Sequence, residues 1–288
     1  ALGRWVQTIG RKGQVPGEFD VPAYFDLMPD GRIAVMDSRN QRVTFFDPDG
    51  QFGGSFRVKG FHSQMRCDSL GRVYFERQTP EEEIEKVGEN FRAVPYTTII
   101  IRADAEGQTF EEIGRFEGVV RVLRRTPEGG TIALSPPYVI LWAVAPGDRV
   151  VVGFNVRFDL TVYGPDLQPE LRFLREYEPP KNPYYDGDPW DHEFFHAYEK
   201  TFILVDDDGN IWLDRAIPPV RKKSKEDASR TEWVRSPEHI YDVFSPDGIY
   251  IREVTLPFRI QWIKRGKFYV LERDEEGFAR IKRFSLRE

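Results

Sequence analysis

The chain contains one cysteine, Cys67, among 288 residues. An internal disulfide is therefore excluded. No apolar run approaches the roughly 20 residues needed to cross a bilayer as a helix, so a helical transmembrane segment is excluded as well. There is no glycine-rich phosphate loop and no Gly-x-Ser-x-Gly nucleophile elbow. Histidines number four, and the net charge is −6. An acidic chain of this kind lacks the electrostatic footprint of a nucleic-acid binder. Its most basic stretch, RKKSKEDASR with Lys222, Lys223 and Lys225, is short and interrupted by acids. The first residue is Ala1 rather than Met, as expected of a mature or trimmed product.

What is present is strand-like. Apolar residues make up 40%, charged residues 31% and aromatics 14%. The first two are ordinary for a soluble globular chain, and the aromatics favour strands. Residues 23–57, AYFDLMPDGRIAVMDSRNQRVTFFDPDGQFGGSFR, alternate apolar runs with PDG turns. That is the pattern of consecutive antiparallel hairpins. It predicts four strands, at 23–28, 32–37, 42–47 and 52–57. The unit recurs in whole or in part at 64–77 with 97–116, at 139–175, at 201–215 with 239–256, and at 258–288. The turn between the first two strands of each unit carries Gly31, Gly71, Gly147, Gly209 or Gly266. Tight hairpin turns need positive φ, which glycine adopts cheaply.

Repeated four-stranded units predict an all-β fold, a β-propeller of antiparallel blades in one domain. A β-sandwich does not explain a last unit short of one strand and a spare strand at the start. That spare strand, Arg4–Ile9 within GRWVQTIG, is expected to close a ring against the final strand near Phe284. Counting the units gives five blades. Residues 117–136 hold two further strand candidates, Val119–Arg124 and Thr131–Leu134, or half a blade.

The residues DGRIAVMDSRNQRVTFFDPDGQF (30–52) resemble a bacterial NHL-type repeat, matching G-x-I-x-V-x-D-x-x-N-x-R-V followed by a D-x-x-G turn. GRKGQVPGEFDVP (10–22) is similar to the P-G-E-F linker between the blades of such proteins, with Val15 in place of a usual glycine. DEEGFARIKRFSL (274–286) is similar again. The resemblance implies six blades and a periplasmic or extracellular location.

In a meander blade the second-to-third loop and the blade-to-blade loop leave from one face. The insertions at about 78–96, 117–136, 176–200 and 216–238 all occupy such connections. They are expected to share a face that binds a partner or caps the channel. Residues 78–96 are acidic, with a helical turn expected, and 216–238 reads as solvated and mobile. The insertion at 176–200, EYEPPKNPYYDGDPWDHEFFHAYEK, is the most aromatic. Its Tyr184, Tyr185, Trp190 and Phe194 are the candidate ligand contacts.

That insertion also contains HEFFH, residues 192–196. Asp188 and Pro189 are suited to cap and begin a helix running to about Lys200, which would place His192 and His196 one turn apart. The pattern is that of zinc proteases. The proline close before the motif, the absence of a third ligand and the β-repeat context all argue against proteolysis. A weaker divalent metal site, for zinc or another ion, could join His192 and His196 with Asp191, His239 or Asp206–Asp208. VDDDGN (205–210) resembles part of a calcium loop but coincides with a hairpin turn, which explains it. Cys67 lies in a strand, as a small apolar residue would.

These readings lead to a non-catalytic binding or scaffold propeller, recognising a protein, peptide or glycan on its loop-bearing face and needing no cofactor. The alternatives are a metal-dependent, lactonase-like hydrolase or lyase, and a structural subunit of an extracytoplasmic assembly. Propeller enzymes of the first kind need polar ligands on the innermost strands. Here those strands read AYFDLM, VILWAVA, TFILVD and FRIQWI, which are mostly apolar.

Overall fold

The computed structural model describes residues 7–60, 64–80, 85–86, 91–126, 129–134, 139–183, 196–223, 231–273, 276–277 and 279–285. The chain divides into two compact units, Ala1–Leu134 and Ser135–Glu288. No helix occurs among the described residues.

The first unit opens with a short parallel pair, β1 (Arg11–Lys12) and β2 (Glu18–Phe19). An antiparallel meander follows: β3 (Pro22–Leu27), β4 (Ile33–Asp37), β5 (Arg42–Phe46) and β6 (Phe52–Arg57). These are the four strands expected from the PDG-punctuated repeat. The second sheet contains β7 (Met65–Cys67), β8 (Val73–Pro80), β9 (Glu85–Lys86), β10 (Phe91–Ala103), β11 (Phe110–Arg125) and β12 (Thr131–Leu134). Buried Met36, Val43, Phe45, Val73, Phe75 and Ile101 belong to the core these two sheets share. Cys67 is half-buried on β7; burial, with the charges of Asp26 and Asp68, pushes its thiol well above the ordinary range.

The second sheet absorbs two of the expected insertions. β10 and β11 pair from Ala103↔Phe110 out to Phe91↔Arg124. β9 and β12 pair along the far end of that hairpin. Within the acidic 78–96 segment, residues 85–86 are strand, while 81–84 and 87–90 lie outside the described residues. The strand candidates at 119–124 and 131–134 are both strands. They extend this sheet instead of starting another blade.

The second unit contains β13 (Ile140–Ala145), β14 (Arg149–Phe154), β15 (Phe158–Tyr163) and β16 (Pro169–Arg175) in one meander. Next come β17 (Tyr198–Val205) and β18 (Ile211–Arg215), then the hairpin β19 (Val220–Lys223) and β20 (Thr231–Val234). β21 (His239–Phe244) and β22 (Tyr250–Leu256) complete that sheet in the order β17-β18-β21-β22. The last sheet is three-stranded: β23 (Trp262–Lys264), β24 (Lys267–Arg273) and β25 (Ala279–Phe284). One core cluster joins the first two of these sheets through Phe158, Leu160, Tyr198, Leu213 and Phe244. Another, with Trp212, Tyr241, Ile263 and Phe268, joins the second and third. The segment read as solvated at 216–238 thus contains a β-hairpin, with 224–230 outside the described residues.

All five turn glycines have positive φ, from 61° at Gly266 to 89° at Gly31. Of the expected ring-closing strand, residues 1–6 lie outside the described residues. Residues 7–10 form no strand, and Ile9 packs against the cluster of Phe19, Val35 and Phe46. The closure itself therefore falls outside what is described.

The repeat motif has a structural cause. Asp37 is fully buried at the end of β4. Its Oδ1 accepts the backbone N–H groups of Val21, Arg39 and Asn40 at 3.2, 3.0 and 2.9 Å. Its Oδ2 accepts Asp20 N–H at 2.7 Å and Asn40 Nδ2 at 2.8 Å. Asn40 Nδ2 also reaches Gly13 O at 3.0 Å. Arg42 donates to the carbonyls of Gln14, Val15 and Glu18. The D-x-x-N-x-R residues therefore fasten the P-G-E-F linker onto the first sheet.

A tight contact in the second unit gives a packing test. A methyl at Gly153 on β14 would lie 2.4 Å from Tyr198 Oη and 3.1 Å from Leu160 Cγ. The Tyr198 ring is fully buried, and its hydroxyl has no hydrogen-bond partner among the described residues. Gly153→Ala should cost about 1–3 kcal/mol through overpacking. Tyr198→Phe removes an unsatisfied buried hydroxyl and should be near neutral or stabilising. In the Tyr198→Phe background Gly153→Ala should cost less. Urea denaturation of the two single variants and the double variant measures the coupling. Equal cost in both backgrounds would refute the contact.

Candidate functional site

Within the second unit, three strand ends meet at one end of the β17-β18-β21-β22 sheet. β17 begins there with Glu199 in its first residues, β18 ends with Asp214 and Arg215, and β21 begins at His239. The 176–200 and 216–238 segments both join strands at this end. Arg235, Ser236 and Glu238 precede β21, and Arg259 follows β22. Together these residues and Ile217 line a small polar cavity of about 60 Å³.

The sheet register explains the convergence. Asp214 pairs with Tyr241 across the β18–β21 ladder, and Arg215 pairs with Ile240. His239 lies just beyond this pairing, where its Nδ1 sits 3.0 Å from Asp214 Oδ2 and 3.3 Å from Oδ1. A neutral His239 that donates from Nδ1 keeps Nε2 as an acceptor. The imidazole stacks on Tyr241, with centroids 6.4 Å apart. Tyr241 is fully buried, and its hydroxyl accepts Ile260 N–H at 2.7 Å. That bond fixes the β22–β23 connection beside Arg259, whose Nε lies 3.3 Å from Asp214 Oδ2. Burial, together with the nearby charge of Asp214, raises the Tyr241 phenol far above its ordinary value.

A second histidine–carboxylate pair borders the cavity. His196 is buried, and its Nε2 lies 3.9 Å from Glu199 Oε2. Burial alone would raise the Glu199 carboxyl. The imidazole of His196 and the charges of Arg259 and Arg235 outweigh it and hold the carboxyl below its ordinary value. Arg235 itself is exposed at the rim.

Among the candidates read from sequence, Tyr184, Tyr185, Trp190, His192 and Phe194 lie outside the described residues. His196 is described, but the helix expected to reach Lys200 is absent at its C-terminal end. Residues 196–197 are irregular and β17 begins at Tyr198. The backbone here is used by the sheets instead: Ala197 N–H donates to Asn155 O at 2.8 Å, and Tyr198 pairs with Arg215. The aromatic Tyr177 packs edge-on against Phe158 at 5.1 Å, so that part of the insertion is held down on the core.

His192, one of the two residues on which the metal expectation rests, lies outside the described residues. No group of three or more His, Cys, Asp or Glu is placed to hold an ion among the described residues. In VDDDGN, the Asp206 carboxylate accepts Asp208 N, Asn210 N, Asn210 Nδ2 and Trp212 Nε1 at 2.8–3.0 Å. Its oxygens serve the turn, as the hairpin reading requires.

No protein-family model matches the chain. No curated protein matches it either. Solved structures do. A member of the duf4221 family from Bacteroides vulgatus aligns with a TM-score of 0.50 at 10% identity, over 97% of this chain and 82% of that one. Virginiamycin B lyase from Staphylococcus aureus aligns with a TM-score of 0.40 at 9% identity, over 93% and 85%. At such identities a likeness speaks to fold alone. The fold is an all-β propeller, with five antiparallel sheets of three or more strands among the described residues. No helix among those residues is long and apolar enough to cross a membrane.

Proposed function

We propose that this propeller is a non-catalytic binding or scaffold protein that recognises a macromolecular partner, a protein, peptide or glycan, at the end of the β17-β18-β21-β22 sheet. The observation that carries this reading is the cavity of about 60 Å³ lined by Glu199, Asp214, Arg235, His239 and Arg259. Sites that engulf a small molecule run to roughly 300 Å³ and more. A cavity this small admits one polar group presented by a larger partner. Its charged lining resembles the polar rim of an interface more than an apolar ligand pocket. The exposed Arg235 is the cation best placed to meet an incoming carboxylate.

Binding to an array of acidic and neutral peptides and glycans tests this. Acidic members should be retained by the unaltered protein, and their binding should weaken as salt rises. Arg235→Glu should abolish that retention without changing the melting temperature. Retention indifferent to charge and to Arg235→Glu would remove the reading.

The NHL-type, six-bladed and extracytoplasmic assignments rest on the repeat residues. The aromatic contacts Tyr184, Tyr185, Trp190 and Phe194, read from the sequence of the 176–200 insertion, belong to the same proposal. A second reading, a metal-dependent hydrolase or lyase, draws on the two histidine–carboxylate pairs, His196–Glu199 and His239–Asp214. Elemental analysis of protein purified without chelator separates the two. A stoichiometric metal lost in His192→Ala would favour the enzyme.

A further inference from the structure

We propose that a groove between the first two sheets of the Ala1–Leu134 unit binds a small amphipathic anion, an aromatic or branched aliphatic carboxylate. The groove has a volume of about 310 Å³ and is lined by Arg57, Val58, Lys59, Phe75, Arg77, Ile101, Phe110 and Glu112. That volume lies at the lower end of the range for small-molecule sites.

The lining separates into two chemistries. Val58, Phe75 and Ile101 belong to the buried core and form an apolar floor. Phe110, about half exposed at 49%, forms a wall, held edge-on by Phe56 at 6.0 Å and Phe75 at 6.4 Å. The other lining groups are three cations and one carboxylate.

The carboxylate is already engaged. Arg115 donates to both oxygens of Glu112, at 2.9 and 2.8 Å. Arg77 reaches Glu112 only at 3.8 Å, and its buried Nε has no hydrogen-bond acceptor among the described residues. A methyl at Gly60, whose φ is +102°, would lie 2.9 Å from Arg77 Cγ. The absence of a side chain there makes room for the arginine stem. A guanidinium held beside an apolar floor, with Nε unpaired and Glu112 no nearer than 3.8 Å, is suited to a planar carboxylate, which it can bind through two parallel hydrogen bonds. Arg57 and Lys59, both exposed, add positive charge at the rim. An apolar cation would meet the wrong sign here, and a sugar would leave its hydroxyls against Phe75 and Ile101.

The test is calorimetric titration of the intact protein with naphthoate, and with naphthylmethanol as the neutral analogue of the same shape. Naphthoate should bind saturably and about tenfold more tightly than the alcohol, the effect of one charge-assisted contact. Arg77→Gln should erase that preference while leaving the weak binding of the alcohol in place. Phe110→Ala should weaken both ligands, and its melting temperature is checked alongside. Absence of saturable naphthoate binding, or equal affinity for acid and alcohol in the unaltered protein, overturns the proposal. So does an acid preference that survives Arg77→Gln. The groove and the cavity proposed for partner recognition lie in different units, so each can fail without the other.

Discussion

Asp37→Ala should lower stability by on the order of 3–5 kcal/mol, because one truncation strands several buried donors at once. The carboxylate is fully buried and accepts four backbone N–H groups as well as Asn40 Nδ2. Truncation leaves those donors without an acceptor, and each buried unsatisfied donor costs roughly 1–3 kcal/mol before water or relaxation recovers part of it. Asp37→Asn does not rescue the site. If its carbonyl oxygen keeps the three Oδ1 partners, its amide nitrogen faces two donors, Asp20 N–H and Asn40 Nδ2. The loss should be local at first, with hydrogen exchange accelerating over residues 10–22 and β4–β5. Urea denaturation followed by circular dichroism measures the total. A change under about 1 kcal/mol would show that the linker is held without this residue.

Asp37 also gives the pH dependence a sign. Burial acts to raise its pKa, but the N–H donors outweigh it, and the net shift is downward. A folded-state value below the unfolded one, near 3.9 for ordinary aspartate, contributes stability that is fully present above the unfolded value. That contribution is lost as pH falls through the depressed folded value. The stability difference between the unaltered protein and Asp37→Ala should therefore be constant from neutral pH down to about pH 5 and shrink below about pH 4.

The same residue shows what could be read in advance. Asp37, Asn40 and Arg42 sit at fixed offsets because they all serve one short loop, and local constraints leave local patterns. The turn glycines were legible for the same reason. Strand partners were not. Val119–Arg124 and Thr131–Leu134 have the composition of strands, but composition does not say that they continue the β10–β11 hairpin. HEFFH matches a motif defined by helical spacing, whereas residues from Tyr198 onward are committed to a sheet by burial of that ring. The cavity residues Asp214, His239 and Arg259 are far apart along the chain. Only the β18–β21 register and the Tyr241–Ile260 hydrogen bond bring them together. The groove of the first unit is equally non-local, built from β6, β8, β10 and β11.

Asp242→Ala should produce a loss of comparable size, again about 3–5 kcal/mol, by stranding two arginines. Asp242 is fully buried on β21. Arg215 of β18 donates to both of its oxygens, at 2.9 and 2.6 Å, and Arg175 of the neighbouring sheet pairs with Oδ1. Glu253, opposite Asp242 on β22, takes Arg215 at 2.8 Å. The like-charged cross-strand pair is thus tolerable because an arginine sits between its members. Hydrogen bonding to Asp242, opposed by burial, drives the Arg215 pKa well above its ordinary value. Arg175 is held further by Tyr250, its guanidinium 4.4 Å above that ring. Removing the carboxylate leaves one exposed acid, Glu253, to balance both cations. A second change, Arg215→Met, should restore part of the loss, because it deletes a stranded charge and keeps an apolar stem of similar length. The double-mutant cycle should therefore show a large favourable coupling, read by urea denaturation. If Arg215→Met adds its own full cost on top of Asp242→Ala, the two residues do not act as a unit.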